Sequence, residues 1–150
     1  MKIRNAKDSD LVAITDLIMI CSEQFILPGL SEEGVRTYVE DHSIDKMKER
    51  LHQFHYQVLV EGTDKIIGVV GIRSPSHLFH LHIDPNFQGQ GLGRRLWESA
   101  KMAALAKEKV SFFTVNSSLY AVPFYKKMGF QPKSKETKNG VVYIPMKIDV

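Results

Sequence analysis

At 150 residues, 43% hydrophobic and 25% charged, the chain has the length of one domain, spanning 1–150, and the balance of an ordinary globular protein. Its one cysteine, Cys21, excludes an internal disulfide, and no apolar run reaches the ~18 residues of a membrane-spanning helix. A net charge of +3 suits a polyanionic ligand, but the basic residues form no stripe with interleaved aromatics, so neither nucleic acid nor membrane is an expected partner.

The first ten residues are charged and carry no apolar signal segment, so the expected location is cytoplasmic. Lys2-Ile3-Arg4 reads as a short strand. Asp8 or Ser9 is placed to cap a helix whose apolar face is Leu11, Ile14, Leu17, Ile18 and Cys21, running to about Phe25. Cys21 on that face reads as core. Leu27-Pro28-Gly29-Leu30 breaks the helix. Ser31-Glu32-Glu33 opens a second helix, and Ser43 a third carrying Ile44, Met47 and Leu51. Tyr56–Glu61 and Ile66–Ile72 flank turn residues and form a hairpin. His77–Ile83 is the next strand. Helical spacing then runs from Leu92 to about Lys107. Val110–Val115 is a continuous apolar strand, covered on both faces. A short helix from about Leu119 to Met128 stops at Gly129. A strand from Phe130 and a strand over Val141–Ile148 close the chain across the Asn139-Gly140 turn. The mixture is α/β, or α+β by some conventions. The strand–helix–strand from His77 to Val115 is expected to be a parallel crossover.

The stretch between Ile83 and Leu92 carries the chemistry. A strand turning through Gly89, Gly91 and Gly93 into a helix is an anion site: the first helical amides lack internal partners, the dipole favours negative charge, and glycine admits a phosphate close to the backbone. The spacing is neither the G-x-G-x-x-G of a dinucleotide fold nor a Walker loop. Gln88-x-x-Gly91-x-Gly93 resembles the acetyl-CoA pyrophosphate signature of the GNAT superfamily of acyl-CoA-dependent N-acyltransferases. Downstream, Val115-Asn116, Ala121, Phe124-Tyr125 and Gly129-Phe130 resemble that family's second signature. The two come in the right order with matching elements between them.

The resemblance implies a mixed, twisted central sheet of about seven strands flanked by helices, with two splayed parallel strands forming the acetyl-CoA cleft. It implies that the backbone of Leu81, His82 and Ile83 meets the pantetheine arm. The amides of Gln88, Gly89, Gln90, Gly91, Leu92, Gly93 and Arg94 take the pyrophosphate, and Asn116 touches the cofactor. Tyr125 stands near the thioester sulfur, and either Lys126 or Lys127 reaches an outlying phosphate. The implied acceptor is an amine of a small molecule or a protein, and pairing of two copies through C-terminal strands or sheet edges is an expectation of the same kind.

Acyl transfer to an amine needs the free base, a minor form at neutral pH for a pKa near about 10.4. A phenol held near sulfur can protonate the leaving thiolate, the role expected of Tyr125. Histidine suits the base. His77 matches the position of the base in several family members, and His80 is the second candidate. By strand alternation His80 and His82 share one face and His77 the other, unless a bulge intervenes. Glu23, Glu32, Glu33 or Glu61 acting through water is the remaining route. Three strand histidines without a further ligand do not make a metal site, and none is expected. The alternative to an enzyme is a non-catalytic acyl-CoA sensor with the same fold.

Overall fold

The computed structural model describes residues 1–150. Eight strands form one mixed sheet: β1 (Lys2–Asn5), β2 (His55–Glu61), β3 (Lys65–Arg73), β4 (His77–Ile83), β5 (Phe112–Ser117), β6 (Gln131–Pro132), β7 (Glu136–Lys138) and β8 (Val141–Asp149). The spatial order is β1-β2-β3-β4-β5-β8-β6, with β7 beside β8. The count exceeds the seven expected because the stretch after Phe130 divides into two short strands, β6 and β7, both laid against β8. Helices α1 (Leu11–Phe25), α2 (Glu32–Asp41), α3 (Ile44–Gln53), α4 (Leu92–Lys107) and α5 (Val122–Lys127) complete the chain. None is long and apolar enough to cross a membrane.

Two apolar clusters hold the sheet between its helices. One packs Trp97 and Leu96 of α4 and Tyr125 of α5 against Phe113, Val70 and Leu78. The other packs Ile14 and Ile18 of α1 and Met47 of α3 against Tyr56, Val58 and Val69. Ser31 and Ser43 cap α2 and α3, accepting from the Gly34 and Lys46 amides. Neither Asp8 nor Ser9 caps α1. Residues 8–10 form a 3₁₀ turn instead, and Asp10 accepts from the Lys7 amide and pairs with Arg4 at 2.8 Å. The short C-terminal helix begins later than its spacing implies, at Val122, because Ser118 closes a turn onto Ala121.

Only β4 and β5 run parallel, and their pairing lasts two residues, His77 with Thr114 and Leu78 with Val115. Beyond that point the strands part. On the far side the β7–β8 turn reaches across to α2. The Asn139 carbonyl accepts from Thr37 at 2.8 Å. A Cβ on Gly34 would overlap the Gly140 carbonyl. Gly34→Ala is therefore expected to destabilise by about 1–3 kcal/mol. That corresponds to a fall of roughly 3–10 °C in Tm, read by calorimetry.

Candidate active site

The gap between β4 and β5 opens into a cleft of about 890 Å³. Its edges follow from the ladder. The Asp84 amide donates to Ile67 O at 2.8 Å, and the β3–β4 register continues through His82 with Val69 and His80 with Gly71. His80 and His82 thus spend their backbone groups on β3, and Leu81 and Ile83 turn theirs toward the gap. The Ile83 carbonyl takes two donors, Cys21 Sγ at 3.3 Å and Gln88 Nε2 at 3.0 Å. Gln88 thereby ties the glycine loop to its strand. Burial pushes the Cys21 thiol up to about 11, so this cysteine is a core group that also borders the cleft.

Gly89 and Gly91 both have φ +78, and an added Cβ would meet nothing within 4 Å at either. The loop needs glycine for its conformation and leaves open space above its backbone. Gly91 precedes α4 with no side-chain cap, and the first amide to find a backbone partner is that of Arg95, on Gly91 O. The amides of Leu92, Gly93 and Arg94 therefore stand free at a helix N-terminus facing the cleft. Gly93 serves another purpose: a Cβ there would lie 3.0 Å from Phe124 Cζ, so its absence lets α5 approach α4. Arg94 lines the cleft and donates to Lys127 O at 3.1 Å, whereas Arg95 turns away to Met1 O. Lys127 borders the cleft and Lys126 does not. Gln90 is exposed and its side chain is not among the lining groups.

Asn116 and Tyr125 border the other wall. The α5 exit sets the tyrosine. Gly129, at φ +104, ends the helix, with Phe130 N–H on Tyr125 O and Gly129 N–H on Lys126 O. Tyr125 is 6% exposed, and burial raises its phenol above the ordinary value.

A β-bulge decides the histidines. Gly71 pairs with His80 but Ile72 pairs with Leu78, so Phe79 is the extra residue and the alternation inverts across it. His77 joins His80 and His82 on the α1–α3 side, and all three line the cleft. His77 Nδ1 lies 2.8 Å from Thr114 Oγ1. His80 is engaged at both nitrogens: Nε2 lies 2.9 Å from His42 Nε2, and Nδ1 lies 2.8 Å from Tyr56 Oη. His42 Nδ1 sits 2.8 Å from the Tyr38 carbonyl. That carbonyl can only accept, so His42 carries its proton on Nδ1. Neutral rings then require His80 Nε2–H to donate to His42, and Tyr56 O–H to donate to His80. Tyr56 reaches across β3 because its ring lies over Gly71. His80 keeps no lone pair for a substrate proton. His42 and its stacked neighbour Tyr38, ring centroids 4.1 Å apart, also border the cleft. Sequence reasoning missed both, and their i, i+4 spacing on a helix was the available signal.

Burial holds His42, His55, His77, His80 and His82 below the usual imidazole value of 6.5, with His77 and His82 at about 4. Between those values the unfolded chain binds protons that the native state does not, so stability is complete above about 6.5 and is lost as pH falls toward about 4. Thermal melts across a pH series are expected to show a flat Tm above neutrality and a steep decline through that window.

Residues 26–150 match the family model described as an acetyltransferase (GNAT) domain. The chain belongs to the GNAT acetyltransferase family. It is an enzyme, an acyltransferase. No curated protein matches this GNAT acetyltransferase significantly in sequence. Solved structures share its fold. One is a GCN5-related N-acetyltransferase, described as an aminotransferase of class II, from Rhodopseudomonas palustris. It is 21% identical over 99% of this chain and 95% of that one, with a TM-score of 0.87. Another is the PaiA N-acetyltransferase of Thermoplasma acidophilum in complex with coenzyme A, 18% identical over 99% and 98%, TM-score 0.80. A third is a point mutant of the spermidine N-acetyltransferase SpeG from Vibrio cholerae, 16% identical over 99% and 95%, TM-score 0.69. In this GNAT acetyltransferase the free loop amides, the two open glycines and the backbone that Leu81 turns toward the gap suit a pyrophosphate joined to an extended amide-bearing arm.

Proposed function

We propose that residues 1–150, as one domain, transfer an acetyl group from acetyl-CoA to a primary amine by direct attack within a ternary complex. The observation that carries this reading is that one cleft brings together the free amides at the α4 N-terminus, the outward backbone of Leu81 and Ile83, and the buried phenol of Tyr125. The loop amides from Gln88 to Arg94 would hold the pyrophosphate, with the side chains of Arg94 and Lys127 adding charge. The outward amides of Leu81 and Ile83 would hold the arm and meet the negative charge that grows on the carbonyl oxygen.

Tyr125 gives a proton to the departing sulfur as the C–S bond breaks and the C–N bond forms. Its raised value keeps it protonated at neutral pH. We assign His77 the tautomer that donates Nδ1–H to Thr114 Oγ1, which leaves Nε2 to take the amine proton. Its lowered value of about 4 keeps the ring neutral near pH 7 and makes it a weak base, so it takes the proton as the C–N bond forms, when the nitrogen is most acidic, and not from a free ammonium. His80, with both nitrogens occupied, acts as a positioning group for His42 rather than as a base. Direct attack is favoured over an acyl-enzyme because the one cysteine is protonated and bonded to Ile83 O.

Initial-rate kinetics test the reading. Thiol release should appear with at least one amine, and lines of varied acetyl-CoA at fixed amine should intersect. Parallel lines would sink direct attack, and acetyl-CoA binding without thiol release across a broad amine panel would favour a sensor. His77→Gln is expected to lower kcat/KM about 10²-fold. An unchanged rate and pH profile would remove His77 as the base.

A further inference from the structure

We infer that the acceptor is a monoamine on an aromatic body, not a polyamine or an amino sugar, an inference that rests on the N-acetyltransferase reading above. Charge carries the first half of it. Of all residues that line the cleft, only Asp41 bears a carboxylate, and that carboxylate is already met. Arg50 Nη2 lies 2.8 Å from Asp41 Oδ1, Arg50 Nη1 donates to Asp41 O at 2.6 Å, and the guanidinium lies 4.9 Å from the Phe79 ring centroid. Arg50 is 9% exposed, so it stays on Asp41, and that half-exposed carboxylate keeps no net charge to offer an incoming cation. The shallow depression beyond sets Glu40 and Asp41 against Lys46 and Lys138, and offers no net negative field. A second ammonium entering with the acceptor would lose water without gaining a counter-charge. The cleft's own cations, Arg94 and Lys127, sit at the glycine-loop end, so a carboxylated acceptor finds no partner at the other end either.

Rings carry the second half. The cleft is lined by two stacked pairs, Phe25 with Tyr120 at 4.5 Å and 19°, and Tyr38 with His42 at 4.1 Å and 18°. Tyr143 and Val141 of β8 line the same cleft. Flat apolar faces with hydroxyls at their rims favour a flat apolar guest, which gains offset or edge-on ring contacts beyond its buried area.

The test is thiol release from acetyl-CoA with 2-phenylethylamine, tryptamine, hexylamine, spermidine and kanamycin. Aromatic amines are expected to exceed spermidine and kanamycin in kcat/KM by at least about tenfold, and hexylamine by a few fold. Phe25→Leu keeps apolar volume and loses the ring, so it should raise KM for the aromatic amines several fold more than KM for hexylamine. Preference for spermidine or kanamycin would overturn the acceptor class while leaving the enzyme reading intact. Parity of hexylamine with the aromatic amines would overturn the aromatic body alone. Absence of turnover with every amine, with acetyl-CoA still bound, would remove both readings together.

Discussion

Tyr125→Phe is expected to lower kcat for acetyl transfer by about 10²-fold, within the range found for loss of a general acid. The variant keeps the ring that packs against Phe124 and Phe130 at 5.2 and 5.5 Å, and Tyr125 Oη makes no hydrogen bond that the fold depends on. Tm and KM for acetyl-CoA should therefore hold, which separates a lost proton from a lost shape. The leaving thiol group decides how far kcat falls. An acyl donor whose thiol is more acidic needs less help from a proton, so the defect should shrink with such a donor. A uniform defect across donors, or a fall in Tm, would assign Tyr125 to packing instead.

Gly91→Val is expected to weaken binding of coenzyme A about 5–30-fold or more with little change in the Tm of the free protein. The left-handed backbone costs a residue with a Cβ about 1–2 kcal/mol, and the φ at Gly91 is +78. Nothing lies within 4 Å of the new Cβ, so the loop can relax in the free protein without a clash to resist it. Binding must restore the strained conformation, and the Cβ then also stands where a phosphate would approach. The cost falls on affinity rather than on stability. Isothermal titration with coenzyme A measures it, and Gly91→Ala should show a smaller loss. Equal affinity in the valine variant would remove the loop from the phosphate site. Gly93 gives the contrasting case, since its neighbour is the Phe124 ring at 3.0 Å and a side chain there is expected to act through helix packing.

The glycine loop, the strand before it, the helix after it and the Gly129 stop were all legible in the chain, because each is dictated by the backbone stereochemistry of a few adjacent residues. The same holds for the serine caps of α2 and α3. The histidines were legible as a cluster, but not their duties. The face of His77 turns on a bulge at Phe79, and a bulge forms from the fit of two strands rather than from the residues of one. His80 gives its Nε2 proton to His42 and its Nδ1 lone pair to Tyr56, partners 38 and 24 residues away. Asp41 becomes a paired carboxylate only where α3 turns Arg50 back onto it. His42, Tyr38 and the reach of the β7–β8 turn to Gly34 are of the same kind. The glycine turn, the helix it opens and the tyrosine-bearing helix with its Gly129 stop could be read from the order of residues, since those follow from local turns and spacing. Which groups keep a free proton or charge to act with emerged only in three dimensions, because that depends on which distant partners have already taken them.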